Sequence, residues 1–345
     1  MKVNPNYLGR LFTEEELTEE ERQSAEKILS MKKDKGRLVC QRCNSLILED
    51  WYLPIGAYYC RECLLMKRVR SDQDLYYFPQ EDFPEQDVLK WRGQLTPFQD
   101  MVSKGLLQAV DNKEETLVHA VTGAGKTEMI YQVVAKVINA GGAVCLASPR
   151  IDVCLELYKR LQNDFSCNIS LLHGESDPYF RTPLVVATTH QLLKFYQAFD
   201  LLIVDEVDAF PYVDNPILYH AVKNSVKENG LRIFLTATST DELDKKVRIG
   251  ELKRLSLPRR FHGNPLIIPK PVWLSDFERY LDKGFLPPKL KAYIDKQRST
   301  DFPLLLFASE IEKGKKLKEV LQKEFPREKI GFVSSVTEDR LEQVQ

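Results

Sequence analysis

The run Ala120-Val121-Thr122-Gly123-Ala124-Gly125-Lys126-Thr127 limits the possible folds of this chain more than any other feature. Its glycines make a tight turn between an apolar strand, Leu117 to Ala120, and a helical stretch, Glu128 to Ala140. A turn of that kind aims backbone N–H groups and a helix N-terminus at one spot, which suits a polyphosphate. Lys126 is then placed for the β and γ phosphates and Thr127 offers its hydroxyl to magnesium. Thr122, Gly123, Ala124 and Gly125 complete the cradle, which predicts ATP bound with magnesium. A strand that ends in such a loop needs parallel neighbours, and the chain beyond Trp91 supplies them. Ala143 to Ala147, Ile169 to Leu172, Leu184 to Ala187, Leu201 to Val204 and Arg232 to Leu235 are apolar throughout, as strands covered on both faces are. Helical stretches separate them, so an α/β fold with a parallel sheet is predicted.

The strand Leu201 to Val204 runs into Asp205-Glu206-Val207-Asp208, which brings carboxylates to the edge of the sheet where ligands of such folds bind. Asp205 is read as a magnesium ligand. Glu206 is read as the base that orients and deprotonates an attacking water, because phosphoryl transfer needs positioning and charge neutralisation above all. Lys126, Asp205 and Glu206 form the predicted catalytic set.

A second constraint is Cys40-x2-Cys43 with Cys60-x2-Cys63 after sixteen intervening residues, the spacing of two facing zinc knuckles. Four thiolates leave no open position, so a structural zinc is predicted, holding a unit too small to persist by burial alone. Iron–sulfur ligation and four neutral buried cysteines are the alternatives. Arg42, Arg61, Lys67 and Arg68 either offset the thiolate charge or touch phosphate, and Tyr52, Tyr58 and Tyr59 pack a small core or stack bases. Cys145, Cys154 and Cys167 have no partner pattern and are read as small apolar residues. His119 and His220 fall in no motif and are read as structural.

The organisation read from the chain is an acidic segment at 1–35, a zinc-binding unit at 36–70, an acidic, proline-punctuated linker at 71–90, an ATP-binding lobe at 91–262, and a hinge with the start of a second lobe at 263–345. Residues 1–30 hold seven Glu against four Lys or Arg, which predicts a short acidic helix or tail. Pro258, Pro265, Pro269, Pro271, Pro287 and Pro288 mark the hinge. Leu304 to Phe307 and Ile330 to Val333 are predicted strands around a charged helix, Glu310 to Glu324. Forty-nine Lys and Arg against fifty Asp and Glu leave a net charge of -1, which excludes a globally basic nucleic-acid coat protein, so any DNA contact must use local patches. No apolar run approaches the ~18 residues that span a bilayer, and a cytoplasmic location is expected.

Further short runs fall in the order of a superfamily 2 helicase core. They are Leu95-Thr96-Pro97-Phe98-Gln99, Ser148-Pro149-Arg150, His173-Gly174, Thr188-Thr189-His190-Gln191 and Thr236-Ala237-Thr238. Ala120, where the general phosphate loop has Gly, agrees with the helicase form. Taken singly, a turn, a loop or a helix cap explains several of these runs equally well. The resemblance implies a P-loop RecA-like core in which Gln99 reads adenine and Arg150, Gly174, Thr188, Thr189 and His190 grip single-stranded DNA. Thr236 and Thr238 would couple the two activities. With the cysteine knuckle in front, the chain resembles the ComFA family of late competence ATPases more than the primosomal helicase PriA, whose cysteines lie in the second lobe. That resemblance implies a single-stranded DNA translocase that helps import transforming DNA at the inner face of the cell membrane, with ComFC, DprA and the ComEC channel as companions. A PriA-like DNA helicase and a nucleotide-gated adaptor without turnover are the competing readings. No Gln-x-x-Gly-Arg-x-Gly-Arg run occurs between Pro265 and Gln345, so the second lobe is expected to be incomplete. An arginine finger is worth about 10³ to 10⁵ in rate. This chain alone is therefore expected to bind ATP and hydrolyse it weakly.

Overall fold

The acidic segment at the start of the chain is built into a small sheet. Strands β1 (Leu11–Thr13), β2 (Glu26–Leu29) and β5 (Asp74–Tyr77) form it, β3 (Met31–Asp34) and β4 (Arg37–Cys40) pair as a separate hairpin, and one short helix, α1 (Glu19–Ser24), falls between β1 and β2 in the chain. Thr18 caps α1 by accepting from the Glu21 N–H, which accounts for the acidic helix expected there. The computed structural model describes residues 3–260, 269–300, 302–334 and 337. In it β5 is the central strand of an antiparallel sheet, between β1 and β2. This corrects the reading of 71–90 as a linker. A strand of four residues is too short to show alternation, and Leu75 and Tyr76 are buried only because β1 and β2 arrive from far away in sequence. The rest of the stretch also lies on the larger lobe. Val88 is buried, the Phe83 N–H donates to the Gly141 carbonyl at 2.8 Å, and the Trp91 N–H donates to Asp164 at 3.1 Å.

The larger lobe comprises α2 (Pro97–Asn112), β6 (Thr116–Ala120), α3 (Lys126–Asn139), β7 (Val144–Ser148), α4 (Ile151–Asp164), β8 (Ile169–Leu172), β9 (Leu184–Thr188), β10 (Phe199–Val204), α5 (Pro216–Ser225), β11 (Val226–Thr236), α6 (Asp241–Arg248) and β12 (Lys253–Leu257). Its seven strands lie in the order β12-β6-β11-β10-β7-β9-β8, and every pairing is parallel. Alternate residues of one strand enter different cores. Leu146, Val186, Leu201 and Ile203 pack with α3 and α4, whereas Cys145, Ala147, Val185 and Val204 pack with α5. Helices therefore cover both faces, as the unbroken apolar runs require. Strand β11 begins six residues before Arg232, with an irregular register against β10, and β12 was not foreseen, because its exposed alternate residues disguise it. The order of strands positions the site, since β6, β11 and β10 lie side by side and their carboxyl ends emerge together.

The chain divides into two compact units, Met1–Leu266 and Ile267–Gln345. In the second, α7 (Phe277–Asp282), α8 (Pro288–Arg298) and α9 (Ile311–Glu324) enclose a core that includes Leu281, Ile294, Leu317 and Leu321. Helix α9 falls where the charged stretch predicted it. The strands expected at Leu304 to Phe307 and Ile330 to Val333 do not form. Among the described residues of this unit there is no sheet for them to join, and Leu305 and Phe307 are 75% and 93% exposed. The boundary expected at 262/263 lies outside the described residues. Among the described residues, no helix is long and apolar enough to cross a membrane.

Candidate functional site

The phosphate loop keeps its shape through two left-handed glycines, Gly123 (φ 77°) and Gly125 (φ 72°), and Gly125 also caps α3. A Cβ on Gly125 would sit 2.4 Å from Gln99 Nε2. That amide donates to the Ala124 carbonyl at 2.8 Å, and its oxygen accepts from the Thr96 N–H at 2.9 Å and the Thr96 hydroxyl at 3.0 Å. Gln99, expected at adenine, is thus buried, with both ends of its amide held by protein, and it braces the phosphate loop against the start of α2. Gly125→Ala adds a side chain to a left-handed residue, at about 1–2 kcal/mol, and displaces this brace. Weakening of ATP–magnesium binding by about tenfold or more, with an unchanged circular dichroism spectrum, is the expected result of titrating that variant.

Lys126, after β6, and Asp205, after β10, face each other across the end of β11, with Lys126 Nζ 3.5 Å from Asp205 Oδ1 and both side chains largely buried. This juxtaposition puts the ammonium expected at phosphate and the carboxylate expected at magnesium on the same few ångströms of sheet edge, and Thr127 lines the same cleft. Glu206 sits beside them in a left-handed backbone conformation, φ 54°. A non-glycine residue there stores about 1–3 kcal/mol of strain, a frequent mark of a functional position. Burial raises the Glu206 carboxyl above its ordinary value, against the opposing pull of Arg150. Arg150 Nη1 lies 3.6 Å from Glu206 Oε2. The cleft they share has a volume of about 980 Å³, ample for a nucleoside triphosphate.

Asp208, which sequence reading left without a role, joins this cluster to the next strand. It accepts from the Thr236 hydroxyl at 2.6 Å and also from Thr238. His119, read as structural, takes hold of the same turn from the other side, with Nε2 3.2 Å from the Ala237 carbonyl and Nδ1 2.5 Å from Arg254 Nη2. A carbonyl only accepts and a guanidinium only donates, so the imidazole is the neutral Nε2–H tautomer. The signal that would have found these residues is strand adjacency, which pairs His119 with Thr236 across β6 and β11.

The residues expected at DNA divide into two groups. Arg150, Gly174 and His190 are exposed. Thr188 and Thr189, at 6% and 0% exposure, lie inside the lobe, with the Thr189 hydroxyl unpaired. That burial corrects the expectation that they touch a strand directly. Arg150 is turned toward Glu206 and Asp152, so the structure brings it to the nucleotide cleft.

Cys40, Cys43, Cys60 and Cys63 are all buried and their sulfurs lie within 4.8 Å of one another. Cys43–Cys60 and Cys40–Cys63 are 3.4 and 3.8 Å apart, close to the ~3.8 Å edge of a tetrahedron with Zn–S bonds of about 2.3 Å. The four thiols are close enough to hydrogen-bond one another, which pulls Cys43 down while Cys40 and Cys63 are pushed up. The residues fit a structural zinc. Arg42 does not reach phosphate. It is 2% exposed and donates to the Met66 carbonyl at 2.7 Å, which ties the two knuckles together. Tyr52 and Tyr58 pack edge to face at 5.1 Å. The unit also shares a core with the larger lobe, where Trp51 and the four cysteines join Leu218, Ala221 and Val222.

These arrangements define a P-loop nucleotide-binding lobe of the helicase class, and residues 96–245 match the DEAD/DEAH box helicase family. Over all 345 residues the chain is 86% identical to the competence protein ComFA of Streptococcus pneumoniae, covering 80% of that protein. It is 37% identical to ComFA of Bacillus subtilis over 84% of this chain and 64% of that protein's length. The replication restart protein PriA of Bacillus subtilis is 26% identical over 62% of the chain and 28% of its own length. The chain belongs to the ComFA family of competence proteins.

Proposed function

We propose that the chain hydrolyses ATP to move single-stranded DNA during uptake of transforming DNA. The observation that carries this reading is the convergence of Lys126, Asp205, Glu206 and the Asp208–Thr236–Thr238 cluster on one sheet edge, in a chain of a competence family. Lys126 holds the terminal phosphates, and Thr127 and Asp205 hold the magnesium that neutralises them. Glu206 accepts the proton of the attacking water, which its raised basicity favours. Asp208 passes the state of the site to Thr236 and Thr238 at the end of β11, and the exposed Gly174 and His190 remain the candidate DNA contacts. The four-cysteine unit serves structure and not chemistry, because four thiolates leave zinc no open position.

The test is ATP turnover with and without single-stranded DNA, on this chain and on the full-length pneumococcal relative. Stimulation by DNA, stronger in the full-length protein, is the expected result. Equal turnover with and without DNA in both proteins would rule out the DNA-driven motor.

A further inference from the structure

The hairpin of β3 and β4 carries a charge pattern that the nucleotide site does not use. Its strands pair in the register Met31↔Cys40 to Asp34↔Arg37, and a two-residue turn closes it, with Lys35 (φ 46°) and Gly36 (φ 79°) both left-handed. Residues 32–37 are all exposed. They hold four cations, Lys32, Lys33, Lys35 and Arg37, against the single anion Asp34, in a chain whose net charge is -1. Among the described residues none of the four cations has an ion-pair or hydrogen-bond partner through its side chain. Register places Lys32 and Arg37 on one face and Lys33 on the other, with Lys35 at the tip. The base of the prong is fixed, because Cys40 ends β4 and Met31 is buried beside the cysteine cage.

We propose that this hairpin is a phosphate-gripping arm for single-stranded nucleic acid and that the four-cysteine centre exists to hold it rigid. The inference rests on the reading that the chain grips DNA, and adds a second contact outside the nucleotide lobe. Cations on both faces and the tip of a narrow prong suit a flexible polyanion that can wrap it. An anionic membrane fits less well, since membrane-surface elements pair their cations with apolar residues that enter the lipid, and the tip Asp34-Lys35-Gly36-Arg37 has none.

The test compares the chain with a variant carrying Lys32→Gln, Lys33→Gln, Lys35→Gln and Arg37→Gln, with zinc content and ATP–magnesium binding confirming that the variant is folded. Affinity for a fluorescent oligothymidine is measured across salt concentrations. Each phosphate contact contributes about 0.7 to the slope of log K against log salt on single strands, so losing four flattens the slope by about 3. A rise from 50 to 200 mM salt then weakens the parent roughly 50-fold more than the variant. An unchanged slope in a folded variant overturns the proposal and leaves DNA binding to the lobe. A variant that loses affinity only for phosphatidylglycerol vesicles also overturns it, in favour of a membrane contact. Failure of the parent itself to bind oligothymidine overturns both this proposal and the DNA-motor reading.

Discussion

Glu206→Gln is expected to lower ATP turnover by about 10² to 10⁴-fold, the usual worth of a positioned general base, while ATP–magnesium binding persists. The substitution keeps the shape of the side chain and removes only its ability to take a proton, so Lys126 and Asp205 retain their geometry. It has a second consequence for stability. The folded-state carboxyl is raised by burial, so the folded protein holds this proton more tightly than the unfolded chain does. Stability from this group is full below the unfolded value and falls as pH rises through the folded one. The neutral amide carries no such penalty, so the variant is expected to melt higher than the parent at pH 7, with the difference shrinking toward pH 4. Loss of turnover with a raised Tm separates a functional carboxylate from a structural one, which would lose stability on substitution. A melting difference of opposite sign at pH 7 would show Arg150 to outweigh burial at this site.

The second large effect is expected at the cysteine centre. Cys60→Ser leaves three sulfurs, and zinc binding at structural sites is worth about 10–16 kcal/mol in isolated peptides at neutral pH. The variant should lose most of its zinc by mass spectrometry and lose more than about 4 kcal/mol of stability in urea unfolding, beyond the range of ordinary substitutions. The damage should reach the ATPase lobe, because the cysteines share a core with Leu218, Ala221 and Val222 of α5. An independent bead would unfold alone and leave the lobe's transition in place. Full zinc occupancy in the variant would show that the four sulfurs are not the ligand set.

The sheet and the phosphate loop were legible because each rests on local sequence. Apolar runs such as Leu201 to Val204 are buried on both faces, and the glycines at 123 and 125 are needed for their left-handed turns. The cysteine cage was legible for the same reason, through fixed spacing. What sequence could not reveal depends on partners far away along the chain. Strand β5 is central only because β1 and β2 flank it, and Leu304 to Phe307 is apolar but has no sheet to join among the described residues. At the site, Gln99 lies where its motif predicted, yet its amide is spent on Thr96 and Ala124. Thr188 and Thr189 sit at a strand end of the right sheet edge, but burial turns their side chains inward. The contacts of Asp208 with Thr236 and of His119 with Ala237 depend on β6, β10 and β11 being adjacent in the sheet, and neither spans fewer than 28 residues.

All of this depends on Lys126 and Asp205 holding a triphosphate with its metal between them. Isothermal titration of ATP–magnesium into the parent chain and into Lys126→Ala tests that point directly. Single-site binding to the parent, with at least a hundredfold loss in the variant (about 2.7 kcal/mol), is the expected pair of results. Equal binding by both proteins, or none by the parent, would show that the loop is not a nucleotide site and leave the chain as a zinc-stapled scaffold.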